Sequence, residues 1–268
     1  MQSDSSGYAW GALRLDIKVK QTQGFWDEIE ILNDINFLEL KACLLGVTAL
    51  CTDIHHCHLQ VQVDNTTTVF YINNMGGVHS LASNELAQQL ILWCKRRHIW
   101  LSACHIAGKG NTEADILSRD INENIEWALD QESFNDICLL LGTPVIDLFA
   151  SRINKKLDRY MSLFPDAKAE AINAYHHKWQ EFSYIFPPFN LISSILSKIL
   201  EDRTQAVLLI YPYWPTAAWF PKISRMCLQP PVLLRHKIKL LHLPQKPHLV
   251  HPLMPNLKIM AALLSGKN

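Results

Sequence analysis

The chain has 268 residues, enough for one large domain or two of ordinary size, and its 25 Lys and Arg residues balance its 25 Asp and Glu residues. Hydrophobic residues make up 49% and charged residues 19%, a globular composition that argues against disorder. No apolar run reaches the ~18 residues that cross a bilayer, and the opening MQSDSS lacks the features of a secretory signal. We therefore expect an intracellular protein, cytoplasmic or nuclear, that is not secreted and has no membrane partner.

The seven cysteines include no C-x-x-C pair and are odd in number, which argues against a zinc site or a disulfide framework. The cluster His55, His56 and His58 is open to interpretation as a metal site or as a plain surface loop. A surface loop is the simpler interpretation because no partner ligands accompany the cluster. The same choice applies to His248 and His251 near the C-terminus.

Charge is unevenly distributed along the chain. Residues up to Arg119 contain 9 Lys and Arg against 12 Asp and Glu, whereas no acidic residue follows Asp202 and nine basic ones do. Such a basic segment is typical of a surface that faces phosphates. A solvated C-terminal segment explains it equally well.

In chain order, the first element is predicted from GALRLDIKV at residues 11–19. Leu13, Leu15, Ile17 and Val19 alternate with polar residues there, which indicates a half-buried strand. KQTQG then predicts a turn, and Phe25 begins a return strand, so that the segment forms a hairpin.

A helix is predicted from about Ile35 to Leu50 by the spacing of its apolar residues. Glu39 lies on a stripe of this helix with Cys43, Gly46 and Leu50. Because these neighbours are small or apolar, a free surface glutamate is not expected at this position.

Two aspartates follow, each with two interpretations. Asp64 ends the predicted strand HLQVQVD on its polar side and is either a site residue or the N-cap of the next helix. Asp115 is either a site residue or an ordinary acid in the first turn of the helix NTEADILSR. Between them, a helix ends in Lys95, Arg96 and Arg97, which the helix dipole favours.

The segments DSSGYAWGA, INFLELKA, VDNTTT and HIAGKGNTEADILSR resemble, in order, the motifs of type-1 ribonuclease H. They resemble these motifs in the form carried by reverse transcriptases of DIRS-type retrotransposons, and the resemblance covers residues 4–119. It implies a mixed five-stranded α/β sheet with flanking helices. It also implies cleavage of the RNA strand of an RNA:DNA hybrid, with an upstream reverse transcriptase domain as a partner.

Carried over residue by residue, the resemblance makes Asp4, Glu39, Asp64 and Asp115 the metal-binding acids. His105 matches the mobile-loop histidine assigned to proton transfer or product release. The implied cofactor is a pair of Mg2+ ions, for which Mn2+ substitutes. Since the family recognises hybrid shape, phosphates and 2'-hydroxyls, the candidate substrate contacts are Asn65, Asn74 and Lys95 to Arg97.

Three positions depart from the family pattern. Only Met1, Gln2 and Ser3 precede Asp4, so we expect an N-terminally truncated fragment in which the Asp4 carboxylate is poorly held and activity is reduced. Ala9 stands where glycine is usual, and Asp34 where histidine is usual.

Beyond the first domain, 1–119, we expect a helical linker at 120–140, a smaller α/β domain at 141–220 and a basic proline-rich tail at 221–268. The strand signals VIDLFA, YIFPPF and AVLLIYPY alternate with helical stretches. The segments DLFASRINKKLDRY, the HKW before YIFPPF and AVLLIYPYWP resemble the region that follows ribonuclease H in DIRS-type elements. That region is itself similar to phage-type adenine-N6 methyltransferases.

In those methyltransferases an Asp or Asn precedes Pro-Pro and an aromatic residue, because its carbonyl accepts a hydrogen bond from the target amino group. Phe186 stands there in this chain and offers no acceptor. Pro187, Pro188 and Phe189 then read as a turn that defines the fold, and Asp147 as a relic of a cofactor site.

Three hypotheses follow from the sequence. The first is a ribonuclease H that is part of a retrotransposon polyprotein. The second is a catalytically dead remnant that only binds nucleic acid. The third, a DNA adenine methyltransferase, is opposed by Phe186.

Overall fold

The computed structural model describes residues 1–16 and 20–267. The chain divides into two compact units, each described by itself below. The first comprises Met1–Asn122 with Phe164–Lys168, and the second comprises Glu123–Leu163 with Ala169–Asn268.

The first unit contains a five-stranded sheet in the order β3-β2-β1-β4-β5. The strands β1 to β3 are antiparallel neighbours, whereas β4 runs parallel to both β1 and β5. This mixed sheet with flanking helices confirms the predicted ribonuclease H-like fold class. Its elements are β1 Gln2–Ser5, β2 Ala9–Arg14, β3 Lys20–Phe25, α1 Ile35–Leu50, β4 His58–Val63, α2 Thr66–Asn73, α3 Leu81–Arg96, β5 Trp100–His105 and α4 Thr112–Arg119.

The predicted hairpin is present, but the segment predicted as its turn forms a strand. The segment KQTQG belongs to β3, which pairs with β2 from Arg14↔Lys20 to Ala9↔Phe25. Pairing along the whole of β2 overrides the weak strand propensity of this polar segment. Ile17 and Val19, which the alternation predicts to belong to the first strand, lie outside the described residues.

Helix α1 lies close against the sheet because small residues meet at the contact. A Cβ atom added at Gly46 would lie 2.5 Å from the Cβ of Ala12 on β2. Asp34 is the N-cap of this helix, and its carboxylate accepts the backbone N–H groups of Asn36 and Phe37. The aspartate at this position therefore fixes where α1 begins.

The second unit contains a seven-stranded sheet in the order β12-β14-β11-β10-β7-β8-β9. The strands β7 to β11 pair with one another in parallel. Strand β14 is antiparallel to both β11 and β12. This confirms a second α/β domain. Its elements are β6 Ala128–Leu129, α5 Gln131–Leu141, β7 Ile146–Ala150, β8 Tyr160–Ser162, β9 Ala171–Ile172, β10 Ser183–Ile185, α6 Ile192–Glu201, β11 Val207–Pro212, α7 Phe220–Met226, β12 Val232–Leu233, β13 Leu241–His242 and β14 Ile259–Leu264.

Two segments differ from the expected domain boundaries. Residues 120–140 are not a separate linker, because α5 buries Phe134, Ile137 and Leu141 in a core of the second unit. Residues 221–268 are not a tail, because β14 is inserted between β11 and β12. A short apolar strand covered on both faces lacks the alternation that marks a half-buried one, so IMAALL gave little sign of a strand.

Among the described residues, no helix combines the length and the apolar character needed to cross a membrane.

Candidate metal centre

Asp4 lies on the central strand β1 and is only 4% exposed. The Ser118 hydroxyl on α4 donates a hydrogen bond to its Oδ2 atom at 2.6 Å, and Asn111 Nδ2 lies 3.5 Å from its Oδ1 atom. All four residues of β1 pair with β2. The expectation of a poorly held Asp4 is therefore corrected, since pairing and side-chain hydrogen bonds fix this carboxylate.

Glu39 projects from α1 toward β1 and is also 4% exposed. Its Oε1 atom accepts the backbone N–H of Ser5 at 3.2 Å, whereas its buried Oε2 atom has no hydrogen-bond partner among the described residues. Burial, and after it the charges of the neighbouring Asp4 and Asp64 carboxylates, raise the pKa of Glu39 to about 9. An orphaned, desolvated carboxylate oxygen of this kind suits a cation ligand.

Asp64 follows β4 directly and its side chain is exposed. The capping role that the sequence left open for it falls to Asn65, whose Oδ1 atom accepts the backbone N–H of Thr68 at 2.8 Å. The Asp64 carboxylate therefore does not cap α2. A Cβ atom at Gly108, in the loop after β5, would lie 3.4 Å from its Oδ2 atom.

Asp4, Glu39 and Asp64 converge on one point. One carboxylate oxygen from each lies within 4.8 Å of the others, and no other group of three potential metal ligands occurs in the part of the chain that the structure describes. The pKa of Asp4 is raised, first by burial and then by the charges of Asp64 and Asp115. Carboxylates this close repel one another, and a hard divalent cation is the partner that would offset the repulsion. The donor set therefore fits Mg2+ or Mn2+.

Asp115 does not join that cluster. It lies in the first turn of α4, its side chain is 40% exposed, and its Oδ1 atom pairs with Arg119 Nε at 2.5 Å. In this conformation Asp115 is an ordinary acid in the first turn of a helix, which is the second of the two interpretations that its sequence position allowed. Asp115 is still close enough for its charge to raise the pKa of Asp4.

His105 is the last residue of β5 and is exposed. Its Nε2 atom lies 3.1 Å from the backbone carbonyl oxygen of Asp64. The predicted histidine is therefore next to one of the three clustered acids.

The candidate substrate contacts have local roles in this structure. Asn65 donates to the side-chain oxygen of Asn36 at 2.9 Å, Asn74 donates to the carbonyl of Phe70, and the Arg97 guanidinium lies 4.4 Å from the centre of the Trp93 ring. Lys95 and Arg96 form the last turn of α3. Their contact with a substrate stays a prediction.

Two residues that support the cluster were missed from the sequence. Asn111 Nδ2 donates to the backbone carbonyl of Ser3, and Ser118 bonds to Asp4 as described. A signal was available, because Ala114 and Ser118 are four residues apart and define the buried face of α4. A polar residue on such a face needs a partner, and here that partner is Asp4.

In the second unit, Asp147 on β7 is 2% exposed and accepts the backbone N–H groups of Phe149 and Lys156. Burial raises the pKa of Asp147 to about 6. A small pocket beside it is lined by Trp127, Ala128, Leu129, Asp147, Phe149, Asn154, Lys156, Tyr184 and Phe186. The interpretation of Asp147 as a cofactor-site relic stays a prediction.

Comparison with known proteins assigns no family to the chain. No protein-family model matches it, and no curated protein matches it. Among solved structures it is similar to ribonuclease H1 from the halophilic archaeon Halobacterium salinarum NRC-1, at 13% sequence identity and a TM-score of 0.34, over 43% of this chain and 89% of that one. The strand order β3-β2-β1-β4-β5 defines the fold of the first unit independently of this likeness.

Proposed function

We propose that the chain hydrolyses the RNA strand of RNA:DNA hybrids with divalent cations held by Asp4, Glu39 and Asp64. The observation that carries the proposal is the convergence of these three carboxylates within 4.8 Å at the central strands of the first sheet. Two of the three are buried, where unpaired acids are costly. A metal-binding role explains why buried acids are gathered at this place.

The cation that fits best is Mg2+, with Mn2+ as a substitute, because the donor set consists of oxygen atoms alone. A bound pair of such ions would supply Lewis-acid stabilisation of the phosphoryl group and make water more acidic. In the proposed two-metal arrangement Asp115 is the fourth ligand, which requires its side chain to leave Arg119.

The chain's own residues would have distinct tasks. Asp4 and Glu39 are held by Ser118 and by the Ser5 amide, so their oxygens are positioned before substrate arrives. The exposed His105 ring beside Asp64 is placed to move a proton or assist product release at the edge of the site. The expected products carry 5' phosphate and 3' hydroxyl ends.

We also propose that the chain is part of a retrotransposon reverse transcriptase polyprotein and works with an upstream polymerase domain. The support for a retrotransposon polyprotein is the order and the residues of the four sequence motifs. Methyl transfer by the second unit is not proposed, because Phe186 has no hydrogen-bond acceptor in its side chain.

The test is cleavage of a hybrid whose RNA strand is labelled, in Mg2+ or Mn2+, by the full chain. We expect cleavage by the wild type and a loss of at least about 100-fold in the Asp64→Asn variant, because a ligand is removed. Asp64 is exposed, so its replacement does not disturb the core. The matched control is Glu113→Gln, which removes an exposed acid on α4 and keeps full activity.

Two outcomes count against the proposal. Absence of cleavage by the wild type with either cation contradicts hydrolysis. Hybrid binding without turnover, insensitive to Asp64→Asn, favours the alternative of a nucleic-acid-binding remnant.

A further inference from the structure

We propose that the second unit binds single-stranded nucleic acid on a surface formed by Tyr213, Trp214, Lys258 and Arg235. These residues lie where β11 ends, where β14 begins and where β12 ends. The proposal is independent of the metal centre in the first unit.

Two aromatic residues on this surface are exposed although they are well anchored. Tyr213 is 44% and Trp214 is 37% exposed. The Tyr213 ring makes an edge contact with Phe220 at 5.4 Å, and the Trp214 ring makes one with Phe189, also at 5.4 Å. Perpendicular ring contacts fix the orientation of both side chains, so little entropy remains to be lost when a base stacks on them.

Two cations lie at the same end of the sheet as these aromatic residues. The backbone N–H of Tyr213 donates to the carbonyl of Lys258 at 2.8 Å, and that of Leu234, the residue before Arg235, donates to the carbonyl of Ile259 at 2.9 Å. Since β14 lies between β11 and β12, Lys258 is flanked by Tyr213 on one side and Arg235 on the other. Both cations are exposed.

The charge of this surface is not balanced by neighbours in sequence. Lys237 and Lys246 are paired with acids, at Asp130 and Glu123 respectively, whereas no ion pair of Lys258 or Arg235 occurs among the described residues. No acidic residue follows Asp202. Adjacent like charges are unfavourable unless an anion lies between them. A polyanion is therefore the partner that the charges favour.

The aromatic side chains decide which polyanion. A duplex keeps its bases stacked internally, whereas a single strand exposes flat bases that stack on tyrosine and tryptophan. Rings beside cations are the arrangement that binds bases and phosphates together, without a requirement for base sequence. DNA and RNA single strands share this chemistry.

The test is fluorescence anisotropy of labelled single strands, DNA and RNA in separate arms, with the full chain in a metal chelator so that no cleavage occurs. We expect Tyr213→Ala and Trp214→Ala each to weaken binding by about tenfold, and Trp214→Phe to restore most of it. Lys258→Ala should reduce the dependence of log affinity on log salt by about 0.7.

A matched control distinguishes binding at this surface from a general attraction of nucleic acid to basic residues. Lys178→Ala removes an exposed cation on the segment that leads into the opposite, amino end of β10, and we expect it to leave both affinity and salt dependence near those of the wild type. Binding that survives the aromatic variants unchanged overturns the proposal, as does binding of an acidic peptide in preference to either single strand. Loss of hybrid cleavage alone leaves this result unaffected, so the two proposals fail separately.

Discussion

Ser118 contributes a hydroxyl that lies 2.6 Å from Asp4 Oδ2 and 2.9 Å from the carbonyl oxygen of Asp115. Its hydrogen bond lowers the pKa of Asp4 against the effect of burial, and so favours the ionised form that binds a cation. We predict that Ser118→Ala raises the metal concentration needed for half-maximal cleavage by about tenfold. The loss in unfolding free energy should be only about 1 kcal/mol. An unchanged metal requirement would show that Ser118 does not position Asp4.

The raised pKa of the buried Asp147 predicts that the stability of the second unit depends on pH. Because burial raises its pKa to about 6, the folded state holds this proton more tightly than the unfolded state does. Its contribution to stability is complete below about pH 4 and is lost as the pH rises through about 6. We predict that the unfolding free energy of the wild type, followed by tryptophan fluorescence in urea, falls across this window.

The comparison variant for that measurement is Asp147→Asn, which should show a smaller fall, because the buried carboxyl of Glu126, whose pKa burial also raises, remains in the same unit. Asp158→Asn, a replacement of an exposed acid, should show the full fall of the wild type. If Asp147→Asn and the wild type show the same pH profile, the buried carboxyl does not titrate in this range.

Among single residues, the sequence nominated the acids that lie together but not the residues that support them. The order of motifs was enough to nominate Asp4, Glu39 and Asp64, which meet in the structure. It could not decide between site and cap at Asp64, because Asp64 and Asn65 are both good N-caps and only the backbone geometry selects Asn65. Nor could it place the Asp115 side chain, whose pairing with Arg119 depends on its rotamer.

At the scale of elements, α4 lies close against β2 at Gly11. A Cβ atom there would be 2.4 Å from the Cβ of Leu117 and 2.8 Å from the carbonyl oxygen of Ala114. We predict that Gly11→Ala displaces α4 and costs about 1–3 kcal/mol in unfolding free energy, because the helix backbone must move. Since α4 carries Ser118 and Asp115, hybrid cleavage should fall as well.

Gly7→Ala is the control for that substitution, because a Cβ atom at Gly7 would meet nothing within 4 Å. It should be neutral in chemical denaturation and in the cleavage assay. Equal stability of the two variants would mean that the contact between α4 and β2 is looser than described.

Elements whose apolar residues recur with a clear period were predicted from the sequence. Elements that form only by pairing with another strand were not. The apolar spacing of α1 predicted Ile35–Leu50, the bounds that the helix has. The strand β3 was mistaken in part for a turn, because its polar sequence becomes a strand only through pairing with β2. Long-range pairing leaves little trace in local sequence.

For the whole molecule, the sequence predicted two α/β domains but not where the second one ends. Counting 221–268 as a tail removed β14 from the sheet, although all six of its residues pair with β11. Proline-rich surroundings and the basic charge of this segment obscured a single apolar strand. The distance along the chain between β11 and β14 also gave no indication that they are neighbours.

The proposed metal centre requires Asp4, Glu39 and Asp64 to hold divalent cations in one place. Anomalous diffraction from crystals of the full chain grown with Mn2+ tests it most directly, because the signal locates the ion without reference to activity. We expect at least one peak within about 2.2 Å of carboxylate oxygens from these three residues, and its loss in the Glu39→Gln variant. Well-diffracting crystals in saturating Mn2+ with no peak at the three acids would contradict it.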